Sequence, residues 1–422
     1  MGEPRGVGRR RLLAAGGAAG VGAATALGLE SARRAGVPAP APQPVAGQEA
    51  QGHGRATEPF HGPRQAGVAT DPQAFAAFVA LELHPGGTRD AVRRLLRVLS
   101  ADAAALAAGR APLTDQEPWL AAHPARLTVT FGFGPRLLGL VAPDRAPAWL
   151  RPLPAFSVDR LEERWNDGDL LLQICADDRL TVSHAQRVLL KAARSFAAVC
   201  WVQDGFRHTV GSVPGGPSMR NLFGQVDGTV NPRGGTEEHE RVVHGRDGFA
   251  PWIPDGTGLV LRRIAMNLDT WDEADTPARE DAVGRRLRDG APLTGDTEHD
   301  EPDLEARGPL GFPVIAEHAH VRRSRSADPL ERIHRRVYNY DVPVADASGT
   351  RGRGATAGGV SDAGMLFAAY CSDVDRQFVP IQRRLDELDM LNAWTTPVGS
   401  AVFAVPPGCA EGGFVGDVLF ED

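Results

Sequence analysis

The 422-residue chain reads as an α+β protein built from two similar halves. Three observations carry that reading. Stretches with strand and helix patterns alternate along the chain, and the second half runs through the same kinds of element in the same order as the first. No nucleotide-binding glycine fingerprint follows the first strand, which separates the chain from doubly wound folds. With 42% hydrophobic and 23% charged residues, the composition is that of an ordinary globular protein able to bury a sizeable core.

In the first half the periodicity predicts helices over Phe75 to Leu83 and Thr88 to Ala107. A half-buried strand is expected at Arg126-Leu-Thr-Val-Thr-Phe-Gly-Phe, and a fully buried one at Asp169-Leu-Leu-Leu-Gln-Ile-Cys-Ala. Ser183 to Ala198 reads as an amphipathic helix with Val188, Leu189, Ala192 and Phe196 on one side. In the second half Gly258 to Leu268 reads as a strand and Ala278 to Leu287 as a short helix, with a charged surface loop over Arg285 to Ala306. Gly364 to Tyr370 is then a strand and Phe378 to Leu388 a helix.

The N-terminus is of another kind. Gly8-Arg9-Arg10-Arg11-Leu12-Leu13 precedes a short run rich in Ala and Gly that ends near Leu29, the pattern of a twin-arginine export signal over residues 1–30. Residues 31–57, rich in Pro, Ala, Gly and Gln, read as a disordered linker. The folded part then divides into modules over 58–235 and 236–422. A twin-arginine leader implies a periplasmic, extracellular or cell-envelope destination, and the only membrane contact expected is through that signal. A formal charge of -7 argues against nucleic acid as a partner. Cys175, Cys200, Cys371 and Cys409 have no metal-binding spacing and read as mostly buried small hydrophobes.

Two stretches carry candidate chemistry. In Asn221-Leu-Phe-Gly-Gln-Val-Asp-Gly-Thr-Val-Asn-Pro232, Gly224 and Gly228 bracket Asp227, so a carboxylate can be held in a turn that approaches a flat ligand closely. In Ala319-His320-Val-Arg-Arg, a histidine at the end of a strand could ligate a metal; the absence of cysteine or a second helical histidine suits haem better than zinc. His318 is a rival for that role, and Arg335 and Arg336 lie fifteen residues further on.

These motifs, with Pro59 to Val68, Leu170 to Ala176, Arg335-Arg-Val-Tyr-Asn-Tyr340 and Gly364-Met-Leu-Phe-Ala-Ala-Tyr370, resemble in one order those of the dye-decolorizing peroxidases. The exported branch that includes the deferrochelatase/peroxidase of ferrous-iron uptake systems is the most similar. The resemblance covers the chain from about Pro59 onward. It implies two ferredoxin-like modules with antiparallel sheets, one haem b, and a peroxidase that oxidises dyes, phenols or other bulky donors with hydrogen peroxide through a ferryl intermediate. A deferrochelatase or haem-handling role with iron-transport partners is the alternative, and a homo-oligomer is implied in either case. His320 takes the place of the proximal haem ligand, Asp227 that of the distal acid and Arg335 that of the distal arginine. Met365 and Phe367 would wall the distal side; Gly228, Thr229, Val230, Arg325, Ser326 and Ala327 would touch the haem. Glu331 or Asp328 is the expected carboxylate partner of the proximal histidine. Val337 departs from the glycine usual after the arginine pair, and Arg64 from a common histidine.

Overall fold

The computed structural model describes residues 52–213, 218–343 and 361–421. Residues 1–51, where the sequence reading expects an export signal and most of a linker, lie outside the described residues. Residues 52–57, expected within the linker, are bonded to the fold: His53 Nε2 lies 3.0 Å from Asp177, and Arg126 N–H donates to the Ala56 carbonyl at 2.7 Å.

The first half comprises β1 (Phe75–Leu83), α1 (Arg89–Ala107), β2 (Thr128–Phe133), β3 (Leu170–Ala176), α2 (Arg179–Ala193) and β4 (Ala197–Phe206), with strand neighbours in the order β4-β1-β3-β2. A two-stranded ribbon, β5 (Met219–Arg220) with β6 (Val226–Asp227), and helix α3 (Glu237–His244) follow. The second half has β7 (Thr257–Met266), α4 (Leu268–Glu273), α5 (Thr276–Val283), α6 (His320–Arg323), β8 (His334–Pro343), β9 (Ser361–Cys371), α7 (Val379–Leu388) and β10 (Thr395–Val405). Its neighbours run β10-β7-β9-β8. Each half therefore has the antiparallel ferredoxin-like order, and the two sheets close edge to edge into one eight-stranded barrel. The seams are narrow: Phe133 pairs with Ala404, and Phe206 with Asn339.

Strand alternation divides the side chains into two sets. Phe78, Leu171, Leu261, Tyr338, Leu366, Tyr370 and Phe403 fill the barrel interior. On the outside of the first sheet, Val79, Leu81, Phe131 and Ile174 bury Leu95, Leu96 and Leu99 of α1 and Val182, Ala185 and Leu189 of α2. Thr88 caps α1 by accepting the Ala91 N–H at 3.2 Å, a contact that contributes about 1 kcal/mol.

Two expectations are corrected. Phe75 to Leu83 is a strand, not a helix: it is central, pairs with both β3 and β4, and is buried on both faces, so its continuous apolar run has no period-2 signature. The second correction concerns α2, which starts at Arg179, where Asp178 accepts the Thr181 N–H at 2.9 Å, and ends at Ala193 so that β4 can begin.

Candidate active site

The loop carrying Asp227 is shaped by Asn221. Its Oδ1 accepts the N–H groups of Phe223 and Gln225, and its Nδ2 donates to Gln225 Oε1 at 2.8 Å. Gly224 at φ +80° and Gly228 at φ +104° make the left-handed turns on either side of the acid. Asp227 itself ends β6 and pairs across the ribbon with Met219.

Arg335 is the second residue of β8, and its Nη1 lies 3.0 Å from Asp227 Oδ1. Register places Val337 opposite Phe367 and Asn339 opposite Met365, so Arg335, Val337, Phe367 and Met365 share the outer face of the second sheet, away from Tyr338 and Leu366. A cleft lined by Thr70, Met219, Asn231, His334 and Val337 reaches Asp227 and Arg335.

His320 opens α6 rather than ending a strand, a further difference from the sequence reading. Its Nδ1–H donates to Asp389 Oδ2 at 2.6 Å. Asp389, 4% exposed at the side chain, is fixed in turn by accepting the Leu391 N–H at 3.0 Å. The bond orients the ring and leaves Nε2 without a partner among the described residues, with 34% of the side chain uncovered. Burial opposes a charge on this ring, but Asp389, by its charge and its hydrogen bond, outweighs it and pushes the pKa upward; Arg335 opposes and Asp227 adds. The imidazole of His320, Arg335 and Asp227 therefore act on one another electrostatically.

Glu331 and Asp328 do not hold His320, contrary to expectation. Glu331 accepts from Ser326 Oγ at 2.6 Å and Arg384 at 2.7 Å, while Asp328 accepts the Leu330 N–H. Asp389 was missed because it is 69 residues from His320 in sequence. His318 pairs with Asp281 at 2.9 Å. Arg325 pairs with Glu301, and Ala327 is exposed. Thr229 Oγ1 donates to Glu298 Oε1 at 2.9 Å, and the Val230 carbonyl accepts from Arg332. Arg64, which had no account in the sequence, grips Glu240 with two nitrogens, at 2.5 and 2.7 Å, and Asp255 with a third at 2.9 Å, tying the start of the fold to α3.

Among the described residues no three His, Cys, Asp or Glu side chains gather to hold a bare metal ion. One buttressed imidazole with a free Nε2 fits an ion that arrives with four nitrogens of its own, as haem iron does. An arginine–carboxylate pair in electrostatic reach of that imidazole adds acid–base chemistry, so fold and site define a haem oxidoreductase. The chain belongs to the Dyp-type peroxidases: residues 65–207 match the family's N-terminal domain and residues 218–410 its C-terminal domain. It is 38% identical over 372 residues to the dye-decolorizing peroxidase of Thermobifida fusca (strain YX), covering 85% of this chain and 84% of that protein. It is 31% identical over 376 residues to the deferrochelatase of Escherichia coli (strain K12), covering 84% and 85%. A crystal structure of a DyP-type peroxidase from Cellulomonas bogoriensis superposes with TM-score 0.80 at 52% identity, covering 88% of this chain and 99% of that one. Ferric DtpA from Streptomyces lividans superposes with TM-score 0.80 at 38% identity, covering 90% and 100%. The protein is thus a haem-dependent peroxidase.

Proposed function

We propose that the chain oxidises dyes, phenols or other bulky organic donors with hydrogen peroxide, using haem b held by His320 Nε2. The observation that carries the reading is the 3.0 Å contact between Arg335 and Asp227 on the wall of the cavity. Haem bound there supplies the redox chemistry, accepting two oxidising equivalents from peroxide and releasing them one electron at a time. The rest belongs to the chain. Asp227 Oδ2, which has no partner among the described residues, takes the proton that peroxide must lose and returns it to the departing oxygen. Arg335 neutralises charge that develops beside the carboxylate. Asp389 draws on the Nδ1 proton of His320 and makes Nε2 a stronger electron donor. Met365, Phe367 and Val337 wall the distal side; Gly228 permits close approach of the loop backbone.

The deferrochelatase reading, with iron-transport partners, rests on relatives at lower identity and gives the Arg335–Asp227 pair no task. Paired arginines at Arg9 and Arg10 support export in the folded state to the periplasm, envelope or medium. Among the described residues no helix is long and apolar enough to cross a membrane. A homo-oligomer is supported by the family resemblance.

The test is the absorption spectrum of the purified holoprotein before and after one equivalent of peroxide, followed by stopped flow. Wild type is expected to change within the mixing experiment, and His320→Ala to lose the haem band. Arg335→Ala is expected to slow the reaction about 10²-fold or more, and Asp227→Ala by less. A wild type that binds haem but leaves peroxide intact overturns the peroxidase reading; a slower Asp227 variant overturns the ranking.

A further inference from the structure

The Arg335–Asp227 contact joins a loop to a strand, and neither side chain is fully buried: 22% of Arg335 and 12% of Asp227 remain exposed. Single ion pairs near solvent are weak and cannot align two backbones by themselves. The alignment has another source. Asn231, four residues after Asp227, donates from Nδ2 to the Arg335 carbonyl at 2.8 Å, and its Oδ1 accepts the Arg335 N–H at 2.7 Å. Both peptide groups of the distal arginine are thus held by one side-chain amide.

The sheet explains why the position is open to it. On one edge of β8, Arg335 is in register with Ala369 of β9. On the other edge β4 reaches β8 only where Phe206 pairs with Asn339, so the ladder has ended before Arg335. The Asn231 amide stands in for the missing strand and satisfies groups that would otherwise lack partners. Beside it His334 Nδ1–H donates to the Pro232 carbonyl at 2.9 Å, a second tie between the same loop and the same strand.

We propose that Asn231 is the positioning residue of the distal site: it locks the backbone of Arg335 to the loop that carries Asp227, and so sets the separation at which acid and arginine cooperate. The inference rests on the peroxidase reading. It gives the turn after the acid a task of its own, since moving Asn231 by one residue would detach the loop from the strand.

The experiment compares wild-type holoprotein with Asn231→Ala and the isosteric Asn231→Asp. Three quantities are read: the rate of peroxide cleavage, KM for a dye donor, and fluoride affinity of the ferric protein, which reports whether Arg335 can donate into the cavity. Misplacement by about 1 Å can slow a reaction about 10²-fold. Asn231→Ala is expected to lose rate on that scale and to bind fluoride more weakly, with KM for the dye unchanged. Asn231→Asp retains the acceptor for the Arg335 N–H but loses the donor to its carbonyl, and is expected to fall between. Should Asn231→Ala fail to fold, Asn231→Asp decides. A variant that is less stable to heat, yet keeps cleavage rate and fluoride affinity within about two-fold of wild type, shows a merely structural role and overturns the proposal. If wild type itself leaves peroxide uncleaved, the peroxidase reading fails while the fluoride comparison still judges the positioning.

Discussion

Acid should unfold this protein through a buried histidine cluster beside Arg335. His239 of α3 is fully buried, and His244 and His334 are 7% and 5% exposed. The ring of His239 lies 4.9 Å from that of His334 and 5.8 Å from that of His244, centroid to centroid. Both nitrogens of His239, and Nε2 of the other two, lack hydrogen-bond partners among the described residues. Burial, reinforced by the neighbouring rings, lowers His239 to about 4 and His334 to about 3; His244 moves the same way through burial and Arg64. The unfolded chain, with histidines near 6.5, takes up protons first. Stability is therefore full above about pH 6.5 and is lost as pH falls toward the folded values. At about 1.4 kcal/mol per pH unit for each ring, His239 and His334 together remove about 5 kcal/mol between pH 6.5 and 4.5, comparable with the whole stability of many proteins. The assay is urea unfolding of the holoprotein at pH 7.5 and 4.5, for wild type and His239→Leu. The variant is expected to lose less stability on acidification, by roughly 2.8 kcal/mol, which is two pH units at about 1.4 each. Equal losses in the two proteins would refute the argument.

Two other outcomes follow from the site. Asp389→Asn leaves His320 a neutral acceptor in place of a carboxylate, so haem should show a higher midpoint potential and peroxide cleavage should slow about ten-fold or more; an unchanged potential in spectroelectrochemistry would count against the proximal assignment. Val337, 4% exposed and lining the cleft beside Arg335, stands where a glycine would leave more room. Val337→Gly should raise the cleavage rate of tert-butyl hydroperoxide relative to hydrogen peroxide, at about 2–3 kcal/mol of stability, and an unchanged ratio would show that this wall does not limit entry.

Local chemistry was legible in the sequence. The two glycines around Asp227 take the positive φ their spacing suggests, and the Thr88 cap and the apolar stripe of α1 mark that helix almost to the residue. What depends on partners distant in the chain was not. β1 is apolar on both faces because a strand pairs on each side of it, and β4, β8 and β10 carry polar or charged residues such as Gln203, Arg336 and Ser400 in buried positions, which blurs their period. Sequence neighbours suggested Glu331 and Asp328 for His320, but the end of α7 brings Asp389 to it, and an aspartate after a helix is too common to stand out. Asn231 was visible within its motif, yet its bonds to the Arg335 backbone exist only once the β4 ladder has stopped short.

The two sheets have the same strand order, but their outer surfaces have parted ways. On the first, α1 and α2 press Leu95, Leu99, Val182 and Leu189 directly against the strands and leave no gap for a flat macrocycle. On the second, Arg335, Val337, Met365 and Phe367 stand on the corresponding side, and His320, buttressed by Asp389, belongs to that half. A molecule that is double in architecture is therefore single in stoichiometry. Titration of the apoprotein should saturate at one haem per chain, and the first half contributes the four strands that close the barrel.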